Sequence, residues 1–188
     1  MTALWGSFLV VALAEMGDKT QLVALSLASR YGRPWTVMAG IFVATVLNHA
    51  LASTIGVWLA AAIPHAVLGW ILATGFVGFG IWTLFPDRID DTGRRSAWGP
   101  LMTTTVVFFL AEMGDKTQLA TVALGARFQS AVLVTAGTTL GMLAADGLAV
   151  FAGARLARIV PMARVRLVAA ALFFAFGAGA ALGALGLF

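Results

Sequence analysis

The ten residues Leu13–Leu22, LAEMGDKTQL, recur letter for letter as Leu110–Leu119, 97 positions further on. The match continues without a gap. Arg30 falls on Arg127, Gly40 on Gly137, Gly56 on Gly153, Pro64 on Pro161, and Phe76, Phe79 and Gly80 on Phe173, Phe176 and Gly177. From Leu13 to Trp82, 26 of 70 positions are identical. An ungapped match of that length is a duplication, so both halves must be able to adopt one architecture.

The setting of the repeat narrows what that architecture is. The chain is 61% hydrophobic and 11% charged, against roughly 45–50% and 25% for soluble domains. Its mean hydropathy is +0.96. Six apolar runs are long enough to cross a bilayer as helices, at roughly 3–28, 35–62, 66–85, 100–126, 130–153 and 166–187. Such a chain is not a soluble enzyme, a nucleic-acid binder or a disordered tail. With no cysteine, disulfides and thiolate metal sites are excluded. Ala12-Leu13-Ala14 has the look of a leader-peptide cleavage site. No basic segment precedes it, however, and the same lead-in recurs deep in the chain, so the first run is expected to be a span.

Basic residues outside the spans set the orientation. Arg30, Arg33, Arg88, Arg94, Arg95, Arg155, Arg158, Arg164 and Arg166 fall on one side and Arg127 alone on the other. The positive-inside rule makes the nine cytoplasmic and puts both termini outside. Each half holds three spans, an odd number, so the second half enters the membrane inverted relative to the first. The predicted fold is an all-α membrane protein of six transmembrane helices arranged as two inverted three-helix repeats. Residues 1–85 form the first repeat, 86–99 a cytoplasmic linker and 100–188 the second repeat. Inverted repeats are typical of secondary transporters, whose substrate site lies at the repeat interface near the midplane.

Five of the eight acidic residues fall inside predicted spans, Glu15, Asp18, Glu112, Asp115 and Asp146, and Lys19 and Lys116 join them. A charge at the bilayer centre costs about 2.5–3.5 kcal/mol on insertion scales, so such residues are kept for a use. On a continuous helix Glu15 and Asp18 share a face, and Glu15 and Lys19 stand in ion-pair register; Glu112, Asp115 and Lys116 repeat the arrangement. Gly17 and Gly114 permit close helix approach or a loosened helix. Thr20, Gln21, Thr117 and Gln118 add oxygen ligands or supporting hydrogen bonds. Inverted symmetry brings the two copies to one depth. Four carboxylates there make an all-oxygen site suited to Mg²⁺, Ca²⁺ or Mn²⁺. Protons compete with a metal for such oxygens, which is the basis of an antiporter. His49 and Asp146 occupy matching repeat positions, with Asn48 beside the former, and are candidates for relaying protons or lining the cavity. Gly137-x-x-x-Gly141 and Gly179-x-x-x-Gly183 are expected to be packing seams, and the six tryptophans interface anchors.

The repeated Glu-Met-Gly-Asp-Lys-Thr resembles the Glu-x-Gly-Asp-(Lys/Arg)-(Thr/Ser) signature of the GDT family, which includes Golgi manganese/calcium transporters and bacterial manganese exporters. The resemblance spans essentially the whole chain. It implies transport of Mn²⁺ or Ca²⁺ in exchange for H⁺, with Glu15, Asp18, Glu112 and Asp115 as cation ligands. Lys19, Thr20, Lys116 and Thr117 match the signature's basic and hydroxyl positions. The chain lacks the long N-terminal extension and central loop of eukaryotic members, which implies a minimal version in a bacterial inner membrane. The implied partners are the cation, protons and lipid, with no resident cofactor, no nucleic acid, and a homodimer allowed. A cation channel with the same acidic site and a small-solute exporter are the alternatives.

Overall fold

The computed structural model describes residues 1–85, 98–152 and 162–187. Most of the expected linker, with Arg88, Arg94 and Arg95, lies outside the described residues, as do Arg155 and Arg158. Among the described residues all regular structure is helical and no strand is present. Eight helices follow in order: α1 (Thr2–Ala14), α2 (Lys19–Tyr31), α3 (Pro34–Ala62), α4 (His65–Thr83), α5 (Pro100–Glu112), α6 (Lys116–Phe128), α7 (Ala131–Ala152) and α8 (Met162–Ala184).

Four of these, α3, α4, α7 and α8, are long and apolar enough to cross a membrane. The first and fourth expected spans are instead broken. Each is a pair of 13-residue helices, α1 with α2 and α5 with α6, interrupted at the repeated motif. The cause is local. Gly17 and Gly114 have φ of +84° and +80°, a left-handed conformation that ends a right-handed helix and that glycine adopts without penalty. Other ends follow sequence rules. Gly32 caps α2 in the left-handed region, and Pro34 and Pro100 sit at the starts of α3 and α5.

The halves interlock rather than sit side by side. α1 packs on α7 as α5 packs on α3, and α3 packs on α6 as α7 packs on α2. The symmetry reaches single atoms. A side chain on Gly40 would run into the Leu101 carbonyl and Thr104; one on Gly137 would run into the Leu4 carbonyl and Ser7. These are matching positions, 97 apart. Gly141 likewise meets the Phe8 carbonyl and Gly56 the Val122 carbonyl, so backbone touches backbone along both seams. Gly179 and Gly183 differ from expectation: nothing lies within 4 Å of where their side chains would begin. They line a cavity of about 240 Å³ with His65, Arg127 and Gln129.

The two-fold pattern fails at α4 and α8. These helices pack closely on one another, with Phe76 and Phe173 stacked at 6.4 Å between ring centroids. The pair leans on α1 and α6, where Val10, Ala14, Leu68, Leu72, Phe76 and Leu124 belong to one buried core. A second core, built on Val11, Val23, Leu27, Ile41, Phe108 and Met142, draws on α1, α2, α3, α5 and α7 but has no buried member from α4 or α8. All six tryptophans are exposed on the protein surface, as interface anchors would be.

These seams predict a contrast. Gly137→Val forces a branched side chain against a backbone carbonyl and should destabilise the protein by about 1–3 kcal/mol, as overpacking does. Gly179→Ala, in open space, should leave thermal unfolding in detergent unchanged.

Candidate metal centre

The break in each span is what builds the site. α1 ends at Ala14 with Glu15 as its C-cap, and α2 begins after Asp18, its N-cap, in extended conformation. α5 ends at Glu112 itself, and Asp115 caps α6 in the same way. Each motif therefore sets a glutamate at the end of one half-helix and an aspartate at the start of the next. Helix starts favour negative charge, which suits the aspartates.

Glutamine closes each break. Gly17 N donates to Gln21 Oε1 at 2.9 Å, and Gly114 N donates to Gln118 Oε1 at 2.7 Å. The other end of each glutamine reaches the opposite half: Gln21 Nε2 donates to the Ala145 carbonyl at 2.7 Å, and Gln118 Nε2 meets Asn48 Oδ1 at 3.5 Å. Their side-chain oxygens are thus engaged in holding the loop, where the sequence suggested oxygen ligands or supporting bonds. The threonines orient the glutamates. Thr20 Oγ1 donates to Glu15 Oε2 at 2.7 Å and Thr117 Oγ1 to Glu112 Oε2 at 2.9 Å.

The lysines correct an expectation. Glu15–Lys19 and Glu112–Lys116 were to pair along one helix. Instead each lysine crosses to the other copy: Lys19 Nζ lies 2.9 Å from Asp115 Oδ1, and Lys116 Nζ lies 2.5 Å from Asp18 Oδ1. The glycine break removes the shared face that the in-helix pairing needed, and the interlocked halves supply the opposite aspartate.

Glu15, Glu112 and Asp115 each offer one oxygen, and these lie within 4.8 Å of one another. All three residues are buried, and Glu15 Oε1 and Glu112 Oε1 have no hydrogen-bond partner. Three convergent carboxylates, two with an unused oxygen, form a hard-ligand set fit for a divalent cation. Asp18, the fourth expected ligand, is not in this cluster. Asp146 is fully buried with both oxygens unpartnered, near enough to act electrostatically on Glu15 and Glu112. His49, its repeat counterpart, is fully buried with both ring nitrogens unpartnered. Asn48 Nδ2 donates to the Phe109 carbonyl at 3.1 Å, which ties α3 to the end of α5.

Sequence reasoning missed Thr83, Phe85 and Arg166, which line a small cavity with Met16, Asp18 and Lys116. Arg166 figured only as a cytoplasmic charge. A signal was present: its repeat counterpart is Gly69, so the charge belongs to one half alone.

Exposed apolar helices around a buried carboxylate cluster define an integral membrane protein that carries cations. Comparison with known proteins makes this specific. Residues 3–91 and 100–186 match the family model described as "Divalent cation/proton antiporter GDT1". The chain is 45% identical over 174 residues to the "Putative manganese exporter" of Vibrio cholerae serotype O1, covering 92% of this chain and 87% of the relative. It is 29% identical to "GDT1-like protein sll0615" of Synechocystis sp., covering 94% and 95% of the two chains. It is 28% identical to "Protein PAM71, chloroplastic" of Arabidopsis thaliana, covering 92% of this chain and 54% of that one. No solved structure matches the chain. The chain belongs to the GDT1 family, a family of cation transporters and not of enzymes.

The crossed ion pairs make a stability prediction. Lys116→Met removes the ammonium paired with the buried Asp18 carboxylate and should cost about 3–5 kcal/mol. Asp18→Asn with Lys116→Met should recover most of that loss, read as a coupling energy from a double-mutant cycle of unfolding in detergent.

Proposed function

We propose that this protein exports a divalent cation, Mn²⁺ first and Ca²⁺ second, from the cytoplasm in exchange for protons by alternating access. The observation that carries the reading is the buried meeting of Glu15, Glu112 and Asp115 from both motif copies, with unpartnered glutamate oxygens. The donor set argues for a hard cation. The family's description supports proton exchange, and the name of the Vibrio relative supports manganese and the outward direction.

In this proposal α1–α2 and α5–α6 are two broken spans, which with α3, α4, α7 and α8 make six spans in two inverted repeats. Half-helix ends meeting at mid-membrane are the usual way a transporter holds an ion there. Both termini lie outside a bacterial inner membrane and the 86–99 linker lies in the cytoplasm. The glutamates and aspartates carry the ion. Lys19 and Lys116 balance charge, Thr20 and Thr117 aim the glutamates, and Gln21, Gln118 and Asn48 hold the breaks. His49 and Asp146 handle protons beside the site. Exporting two charges against an inside-negative potential costs about 4.6 kcal/mol per 100 mV. Return of two protons cancels that electrical term.

Flux in proteoliposomes loaded with a metal dye and a pH dye tests this. Mn²⁺ movement should drive opposite proton movement, and Glu15→Gln or Glu112→Gln should abolish both while the protein remains folded. Mn²⁺ affinity should fall on acidification, because protons and metal share oxygens. Metal flux indifferent to the proton gradient would mean a channel, and no metal flux would favour a small-solute exporter.

A further inference from the structure

Arg127 stands apart from the other arginines. It lies in the last turn of α6, at the end of the bundle where α8 also finishes and α4 starts. Among the described residues it makes no salt bridge. It lines two cavities that share Gly179, and no acidic residue lines either. The first, of about 240 Å³, also takes in His65, Leu68, Gln129 and Gly183. The second, of about 230 Å³, is walled by Phe128, Ala175 and Phe176, and the two rings pack edge to face at 6.0 Å. Glycine keeps the gap open. α8 meets α4 where Ala184 abuts Gly69, yet a side chain on Gly179 or Gly183 would meet nothing within 4 Å. The repeat counterpart of Gly179 is Trp82 and that of His65 is Met162, so these features belong to one half alone.

We propose that this gap binds an anionic phospholipid, its phosphate on Arg127, His65 and Gln129 and an acyl chain along Phe128, Ala175 and Phe176. The argument is one of matched polarity. From Gly183 to Phe176 the furrow runs about 10 Å along α8, from a cationic end to aromatic walls. Its occupant must carry negative charge at one end and hydrocarbon at the other. Basic pockets between membrane helices hold anionic headgroups in this way. The planar guanidinium of Arg127 suits phosphate oxygens. The first turn of α4 borders the same cavity at His65, and the start of a helix favours an anion. Arg127 also suits the end of α6 through the helix dipole, but that role requires neither His65 nor a gap. A soluble anion would leave the aromatic walls uncovered, and a neutral tail would leave Arg127 unmatched.

The test is native mass spectrometry of the purified full chain, delipidated in detergent and titrated with phosphatidylglycerol or phosphatidylcholine. Wild-type protein should bind the first phosphatidylglycerol about tenfold more tightly than phosphatidylcholine. Arg127→Gln removes charged donors and should erase that preference, weakening phosphatidylglycerol by about tenfold. Gly179→Leu fills the gap and should weaken both lipids. Arg164→Gln, at an exposed position near the other end of α8, should stay within about twofold, as a surface charge away from the gap does. Glycerol 3-phosphate, a headgroup without tails, should not displace the lipid at equal concentration. Equal wild-type affinity for the two lipids, equal losses in Arg127→Gln and Arg164→Gln, or displacement by glycerol 3-phosphate would overturn the inference. Gly179→Leu and the wild-type contrast between lipids decide it even if Arg127→Gln fails to fold.

Discussion

Charge buried in an apolar body is stable only where opposite charge and hydrogen-bond donors are brought to it. In this protein that requirement is met by exchange between the halves. Each motif supplies an aspartate it does not itself neutralise and a lysine it does not itself use. Neither half could bury its motif alone, because each would hold unmatched ions. The crossed pairs thus bind the duplicated units into one body, and the geometry around them follows. The spans break so that both half-helix ends face the same point, and the glutamines pin each break to the long helix opposite.

Packing around this centre is made close by the absence of side chains. At Gly40 and Gly137 the opposing carbonyl occupies the space a methyl group would need. Such contacts fix α1 against α7 and α5 against α3 with little freedom to slide. They are the scaffold on which a site with ångström tolerances can rest. The glutamates, each steadied by a threonine in the first turn of the next helix, inherit that precision.

Much of this was legible in the sequence. The duplication, the helical class, the motif acids and the close seam at Gly137 and Gly141 all follow from identities and spacing. The break was not. Gly17 permits a close helix approach and a loosened helix alike, and nothing in its spacing chooses between them. Pairing Glu15 with Lys19 assumed the unbroken form, since in-helix register is the only partner a linear reading can offer. Gly179 and Gly183 show the reverse: the right spacing with no helix against it. The inequality of Asp18 and Asp115 lay furthest from view. Ten identical letters carry no difference, yet Thr83, Phe85 and Arg166, near the ends of α4 and α8, line a cavity beside Asp18.

The position of α4 and α8 carries a consequence of its own. The pair rests on a surface made by Val10 and Ala14 of α1 and Leu124 of α6. The repeat reproduces that surface elsewhere as Val107, Ala111 and Leu27, residue types unchanged. The molecule therefore contains two near-copies of one residue set: one carries the pair, and the other, through Leu27, is buried in the second core. Any preference between them must come from positions at which duplication has since been edited, such as Ala120 against Val23 or Arg166 against Gly69. Divergence between the halves is in this sense a tuning of bias rather than a decay of symmetry.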